Sequence, residues 1–297
     1  MSIHIIPKNS KETVQILNIY KNNNPFIFYH HSINDVDDSS LIYENETHPG
    51  YEILYLIEGN VNYIVEGKSY FLKKNDIIII NTSEVHKLII DLSTKYERCV
   101  IHFSNEMFPA NTEINSKLIH DIILRSQNSL KIIPGDIVKK FNIDEIFLEF
   151  DNCSKDPDKM LIPALFASNI IKLFIQLNKA LPSISSLPSP QINNPFIKKI
   201  SDYITENINK KFKIIDIANH LHFSESRLSH LFKETMGITL NKYIILKRIQ
   251  HAQNLIKHGM SLKEAAFESG YQYYSNFYNN YKMVTGETPS YDNISKW

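Results

Sequence analysis

Glycine is scarce in this chain, at 8 residues in 297, and no cluster of it forms the loop that cradles a phosphate. Cysteine is scarcer: Cys99 and Cys153 stand alone. That excludes a disulfide framework and a paired-cysteine zinc finger, and it suits a reducing compartment. No apolar run approaches the ~18 residues of a membrane-spanning helix. The opening MSIHIIPKNSKETVQ also lacks the apolar core of a secretory signal. Net charge is absent too, with 32 Lys+Arg against 32 Asp+Glu, so the molecule as a whole exerts no pull on a polyanion. No Ser/His/Asp or Cys/His arrangement sits in a catalytic motif. A cytoplasmic protein with no catalytic residues and no membrane partner is therefore expected.

The zero net charge hides an asymmetry. Residues 192–297 hold 14 Lys+Arg against 9 Asp+Glu, a weak pointer from the C-terminal third towards nucleic acid. The length allows two domains. From about 26 to 103 the runs EILYLIEG, VNYIVEGKSYFL and NDIIIINTSEVHKLII predict short strands, with Gly59 and Gly67 at hairpin positions. Over about 136–180, as in LIPALFASNIIKLFIQLNKAL, apolar residues recur at helical spacing. PSISSLPSPQINNP, residues 182–195, holds four prolines and four serines. It reads as an irregular linker between a domain over 1–181 and a helical one over 196–297.

That helical third repeats itself. Ile214, Ile217 and Ala218 recur 48 residues on as Leu262, Ala265 and Ala266. Leu228, Phe232, Lys233, Gly237 and Thr239 recur 49 on as Phe277, Tyr281, Lys282, Gly286 and Thr288. Each unit reads as helix, turn, capped helix and glycine stop, the grammar of a helix-turn-helix. In SESRLSHLFKETMGITL, Ser224 is a fitting N-cap and Gly237 a fitting stop. Leu228, Leu231 and Phe232 share one side of that helix; Ser226, Ser229, His230 and Lys233 take the other, with Arg227 at the flank. In the second unit Phe277, Tyr281 and Val284 face in, while Ser275, Tyr278, Asn279 and Lys282 face out. One polar face is what any surface helix carries; two in register predict a pair of helices for the major groove of double-stranded DNA. Between them LNKYIILKRIQHAQNLIKHG (240–259) reads as one helix of about 18 residues, roughly 27 Å long. Tyr243, Leu246, Ile249 and Leu255 are its expected core, and Arg248 serves packing, an ion pair or a phosphate.

IANHLHFSESRLSHLFKETMGITLNKYIILKRIQHAQNLI followed by LKEAAFESGYQYYSNFYNNYKMVTGETPSY resembles the DNA-binding domain of the AraC/XylS family of transcription regulators, over about residues 196–292. The family's closing Gly-x-Thr-Pro is present as Gly286, Glu287, Thr288 and Pro289. The resemblance implies that one monomer reads about two turns of DNA. It also implies that the protein activates transcription with RNA polymerase as partner, under control of a small effector. Where the family often has an aromatic and then an arginine in the second recognition helix, this chain has Asn276 and Asn279. It lacks the arginine that would pair with guanine, so no base preference follows.

HPGYEILYLIEGNVNYIVEGKSYFLKKNDIIIINTSEVHKL resembles the cupin barrel that commonly precedes such a domain. Metal-binding cupins surround a cation with H-x-H, a glutamate and a later histidine. His48, Glu52 and His86 match three of these positions, and Gly50 replaces the second histidine. His48 and Glu52 share strand parity, so both can point inward. They form a facial triad for iron, the polar lining of an effector pocket, or hydrogen-bonded strand ends; no cofactor is expected. Tyr55, Tyr63 and Tyr70 either line that pocket or cover the outer face. His30 and His31, in an arm NNNPFIFYHHS (22–32) by the barrel mouth, are expected at the surface. The helices over 143–179 cap the barrel, pair with a second subunit in a homodimer, or do both.

The expected fold is thus α+β in two domains. A cupin-like β-barrel with a helical subdomain precedes an all-α domain of two helix-turn-helix units joined by a linker helix. Three functions compete: a regulator controlled by a small molecule in the barrel, a metal-dependent cupin enzyme tethered to DNA, and a regulator with an empty barrel controlled by a protein partner.

Overall fold

A computed structural model describes residues 14–23, 26–34, 40–46, 50–81, 84–91, 93–103, 122, 131–184, 191–192, 194–285 and 288–290. The strands are β1 Val14–Asn23, β2 Phe26–Asn34, β3 Ser40–Glu46, β4 Tyr51–Glu58, β5 Val61–Val65, β6 Lys68–Leu72, β7 Ile77–Ile80, β8 His86–Asp91, β9 Tyr96–Phe103, β10 Ile132–Ile133 and β11 Gln191–Ile192. They form two sheets, one in the order β1-β2-β9-β4-β7-β10 and one in the order β11-β6-β5-β8-β3. Between the sheets lies a core that includes Leu54, Leu56, Tyr63, Tyr70, Ile78, Leu88 and Val100. Three helices, α1 Gly135–Lys140, α2 Ile143–Cys153 and α3 Ile162–Ile184, cover the outer face of the first sheet and bury Ile53, Tyr55, Ile79, Phe147, Phe166 and Phe174 there.

This double covering explains the sequence pattern. β4 and β7 are buried on both faces and read as continuous apolar runs, as enclosed strands do. β5 shows alternating burial, because one of its faces meets solvent.

Two expectations change. The supposed arm at 22–32 is largely β2, which pairs with β1 on one side and β9 on the other. The 182–195 segment is regular at both ends. α3 runs through Pro182 to Ile184; the proline sits in the last turn, where few backbone bonds remain to be lost. Gln191 and Ile192 pair with Tyr70 and Ser69 of β6. Asn194 then caps the next helix, accepting from the N–H groups of Phe196 and Ile197.

The C-terminal half holds α4 Pro195–Glu206, α5 Ile214–His220, α6 Glu225–Met236, α7 Leu240–Lys257, α8 Leu262–Glu268 and α9 Tyr274–Thr285. It has two cores. One gathers Ile197, Ile200, Leu228, Phe232, Met236 and Tyr243; the other gathers Ile249, Ala252, Ala265, Tyr271, Phe277 and Tyr281. α7 contributes its N-terminal half to the first and its C-terminal half to the second. No described helix is long and apolar enough to cross a membrane.

Candidate nucleic-acid interface and buried polar cluster

α5, its turn and α6 form the first helix-turn-helix; α8, its turn and α9 form the second. Both units turn at a left-handed residue, His222 in the first and Gly270 in the second, 48 positions apart as α5 and α8 are. Ser224 caps α6 by accepting from the Arg227 N–H, and Gly237 ends it in the left-handed conformation. Leu228, Phe232 and Met236 are buried beneath α6, as Phe277, Tyr281 and Thr285 are beneath α9. Of the nine residues expected to meet DNA, Ser226, Arg227, His230, Lys233, Ser275, Tyr278, Asn279 and Lys282 are exposed, and Ser229 is half-buried. Glu234, one turn beyond His230, lies 3.3 Å from its Nδ1 and puts a negative charge beside that face.

α7 spans 18 residues, about 27 Å, as its sequence predicts. Arg248 is not a phosphate ligand. Its Nη2 donates to the Lys210 carbonyl at 3.0 Å, and its guanidinium lies over Phe212 of the first unit and Tyr271 of the second. A Cβ on Gly270 would come within 3.0 Å of this guanidinium and 2.5 Å of the Ile208 carbonyl. Arg248 therefore fixes the joint between the units through stacking and one hydrogen bond.

The barrel docks on the first unit through the β5–β6 turn. Glu66 and Gly67 both have positive φ, as a two-residue type I′ hairpin requires. A Cβ on Gly67 would lie 2.4 Å from Ile197 Cγ2, so only glycine lets α4 approach. The Glu66 carboxylate accepts from Tyr243 OH at 2.5 Å and the Val85 N–H at 2.9 Å, and it pairs with Lys247 Nζ at 3.0 Å. Burial opposes the Lys247 charge, but Glu66 outweighs it and raises the lysine's pKa above its ordinary value. The Val85 side chain is itself part of the first unit's core.

Between the two sheets lies a second, wholly buried cluster of polar groups. Glu52 is 4% exposed and accepts from Tyr63 OH at 3.0 Å. Its Oε2 lies 3.5 Å from His86 Nε2 and 3.8 Å from His102 Nδ1. His86 Nδ1 donates to the Glu84 carbonyl at 3.0 Å, which fixes where its proton sits. His30, Ser32, Asn34 and Arg98 are buried in the same interior. Burial, with Arg98 and His102 nearby, holds the His30 pKa well below the usual histidine value. The Asn34 amide has no hydrogen-bond partner among the described residues. So many buried polar side chains are unusual in a core unless something hydrogen-bonds to them.

Of the residues expected to line this interior, Glu52, His86 and Tyr63 converge there, and His48 lies outside the described residues. Tyr55 points the other way, stacked on Phe147 with its hydroxyl donating to Asn75, because residues 52 and 55 differ in strand parity. His30 and His31 are not surface residues. His30 is 3% exposed, and His31 is held on the opposite face of β2 between Asp151 and Glu97. Sequence reasoning missed His102, which the ladder sets opposite Glu52. No local pattern links residues 50 apart; only the even parity it shares with Arg98 along β9 hints at the inward face.

Comparison with known proteins adds to this geometry. A family profile described as an AraC-like ligand-binding domain matches residues 35–131, and one described as a helix-turn-helix domain matches residues 217–291. The chain is 21% identical over 229 residues to the uncharacterised HTH-type transcriptional regulator YfiF of Bacillus subtilis, across 75% of this chain and 70% of that one. It is 18% identical over 259 residues to the melibiose operon regulatory protein of Escherichia coli K12, across 82% and 80%. Among solved structures, ToxT from Vibrio cholerae O395 aligns at 16% identity over 90% of this chain and 97% of that one, with a TM-score of 0.38.

Proposed function

We infer, from the premise that this chain belongs to the AraC family of helix-turn-helix transcription regulators with an AraC-like ligand-binding domain, that it is a cytoplasmic activator whose grip on DNA is set by a small polar molecule held in the barrel. The observation that carries the reading is the pairing of two exposed polar helix faces, on α6 and α9, built on separate cores at the two ends of α7. One monomer then reads successive major-groove faces, with Ser226, Arg227, Ser229, His230 and Lys233 in one and Ser275, Tyr278, Asn279 and Lys282 in the next. Residues 1–181 act as the effector half and 196–297 as the DNA half. RNA polymerase is the partner at the promoter, and a second copy pairs through the helical layer of α2 and α3.

Control from the barrel is supported by three consecutive residues. Glu84 pairs with Lys131, Val85 packs in the first unit's core, and His86 stands beside Glu52 in the polar interior. A molecule that displaces His86 pulls on the backbone from which Val85 reaches the DNA half. Glu52, Tyr63, His86, Asn34 and Arg98 are the groups that would hold it, and they suit a hydrogen-bonding solute rather than an apolar one.

The test is selection of sheared genomic DNA by the full-length protein at two salt concentrations. Two short elements about one helical turn apart are expected; enrichment without such a pair would overturn the tandem reading. Lys233→Ala and Lys282→Ala should each weaken binding across all sequences and flatten the salt dependence by about 0.9 in logarithmic slope. His230→Ala should instead change the preference at one base step, and an unaltered recognition profile would remove that assignment. For the effector, small molecules released from purified protein are compared by mass spectrometry. A species present with the wild type and absent with Glu52→Gln supports the barrel site; none in either favours a protein partner.

A further inference from the structure

Among the described residues, one group of histidine, cysteine and carboxylate side chains brings its donor atoms within 4.8 Å of one another: His31, Cys99 and Asp151. It does not face the barrel interior. β2 and β9 place His31 opposite Cys99 on the outer face of the first sheet, and Asp151 reaches them from α2. The barrel group around Glu52 is a separate cluster on the other side of the same strands.

We propose that these three residues bind a zinc-class divalent metal ion. Its ligands are the Cys99 thiolate, His31 Nδ1 and the Asp151 carboxylate, and a water or small ligand completes a four-coordinate shell. The donor set joins one sulfur, one imidazole and one carboxylate, which suits a borderline-soft ion and neither calcium nor magnesium. Each ligand is also held from behind, as metal ligands characteristically are. Glu97 Oε1 lies 2.9 Å from His31 Nε2, so a proton there leaves Nδ1 aimed at the cluster. Asn18 donates to Asp151 Oδ1 at 3.0 Å, and Tyr29 OH approaches the same oxygen at 2.7 Å and Cys99 Sγ at 3.3 Å. Two ligands sit on neighbouring strands and the third on a packed helix, so rigid elements set the geometry.

His31 stands between two carboxylates, its Nδ1 2.7 Å from Asp151 and its Nε2 2.9 Å from Glu97. In the bound form Cys99 is a thiolate and His31 Nδ1 carries no proton, as metal ligation requires of both. His31 Nδ1 and Asp151 Oδ2, now 2.7 Å apart, open to admit the ion. The bound ion then ties α2 to the sheet.

Full-length protein stripped with a chelator and titrated with cobalt(II) tests this. One equivalent should bind with a thiolate-to-metal charge-transfer band and the intense visible bands of a four-coordinate site, and zinc should abolish both. Cys99→Ser should lose the charge-transfer band; Cys153→Ser and His86→Ala should keep it, which separates this site from the other cysteine and from the barrel. Should Cys99→Ser fail to fold, Asp151→Asn and Glu97→Gln replace it, with cobalt affinity expected to drop at least tenfold in each. Absence of a charge-transfer band in the wild type, or its survival in Cys99→Ser, would overturn the proposal and leave His31 as the centre of an ion-pair network.

Discussion

Glu66→Ala should destabilise the full-length protein by roughly 2–3 kcal/mol. The substitution leaves the Lys247 ammonium, the Tyr243 hydroxyl and the Val85 N–H without the acceptor they share. Breaking a fully buried pair costs about 3–5 kcal/mol; here both partners retain 20% exposure, so water recovers part of it. The loss falls on one joint, since Glu66 belongs to the barrel and its two side-chain partners belong to α7. Denaturant unfolding followed separately in the two halves should therefore change from one transition to two. Glu66→Gln, which keeps an acceptor and loses the charge, should fall between. If the Ala variant unfolds in a single transition at the wild-type midpoint, the turn is not what holds the halves together. Uncoupling has a functional side too: DNA binding by the variant should persist but no longer respond to changes in the barrel, such as Glu52→Gln.

Phe277→Ala should cost about 3–5 kcal/mol, as removal of a buried phenylalanine does. That is a large share of what holds the second unit. Among the described residues its core comprises eight buried ones, Phe277 among them and fully enclosed. The first unit has its own core and leans on the barrel through Val85, so it should survive. On DNA the footprint should shrink from two elements to one, with affinity falling more than tenfold, about 1.4 kcal/mol or more. Hydrogen exchange should show loss of protection confined to α8, α9 and the C-terminal half of α7, which share that core. Phe232→Ala is the informative counterpart. It strikes the unit against which the barrel rests, so it should loosen the docking as well as the other half of the footprint. A Phe277→Ala protein with the full footprint and unchanged affinity would show that α9 does not bind DNA.

What the sequence determined by itself is whatever is encoded within a few residues. A helix of 3.6 residues per turn turns neighbours in sequence into neighbours on a face. Leu228 with Phe232 and Ser226 with His230 therefore declare which side of α6 is core and which is free, and Ser224 and Gly237 mark its ends. The repeat at 48 and 49 residues states the rest of the DNA half without any long-range information. In the barrel, alternation along β5 is just as legible, because one of its faces meets water.

The tertiary structure decided what depends on residues distant in sequence. β4 and β7 are covered on both sides and carry no alternation from which to read a side. Tyr55 could be assigned to the helices only once the sheet had its partner sheet on one face and helices on the other. His102 joins Glu52, and Cys99 joins His31, through ladders that pair residues 50 and 68 positions apart, and hydrophobic pattern does not encode such partners. Arg248 became a joint, and Glu66 a clasp, for the same reason: an isolated charge in a sequence is ambiguous until folding supplies, or withholds, the group that answers it.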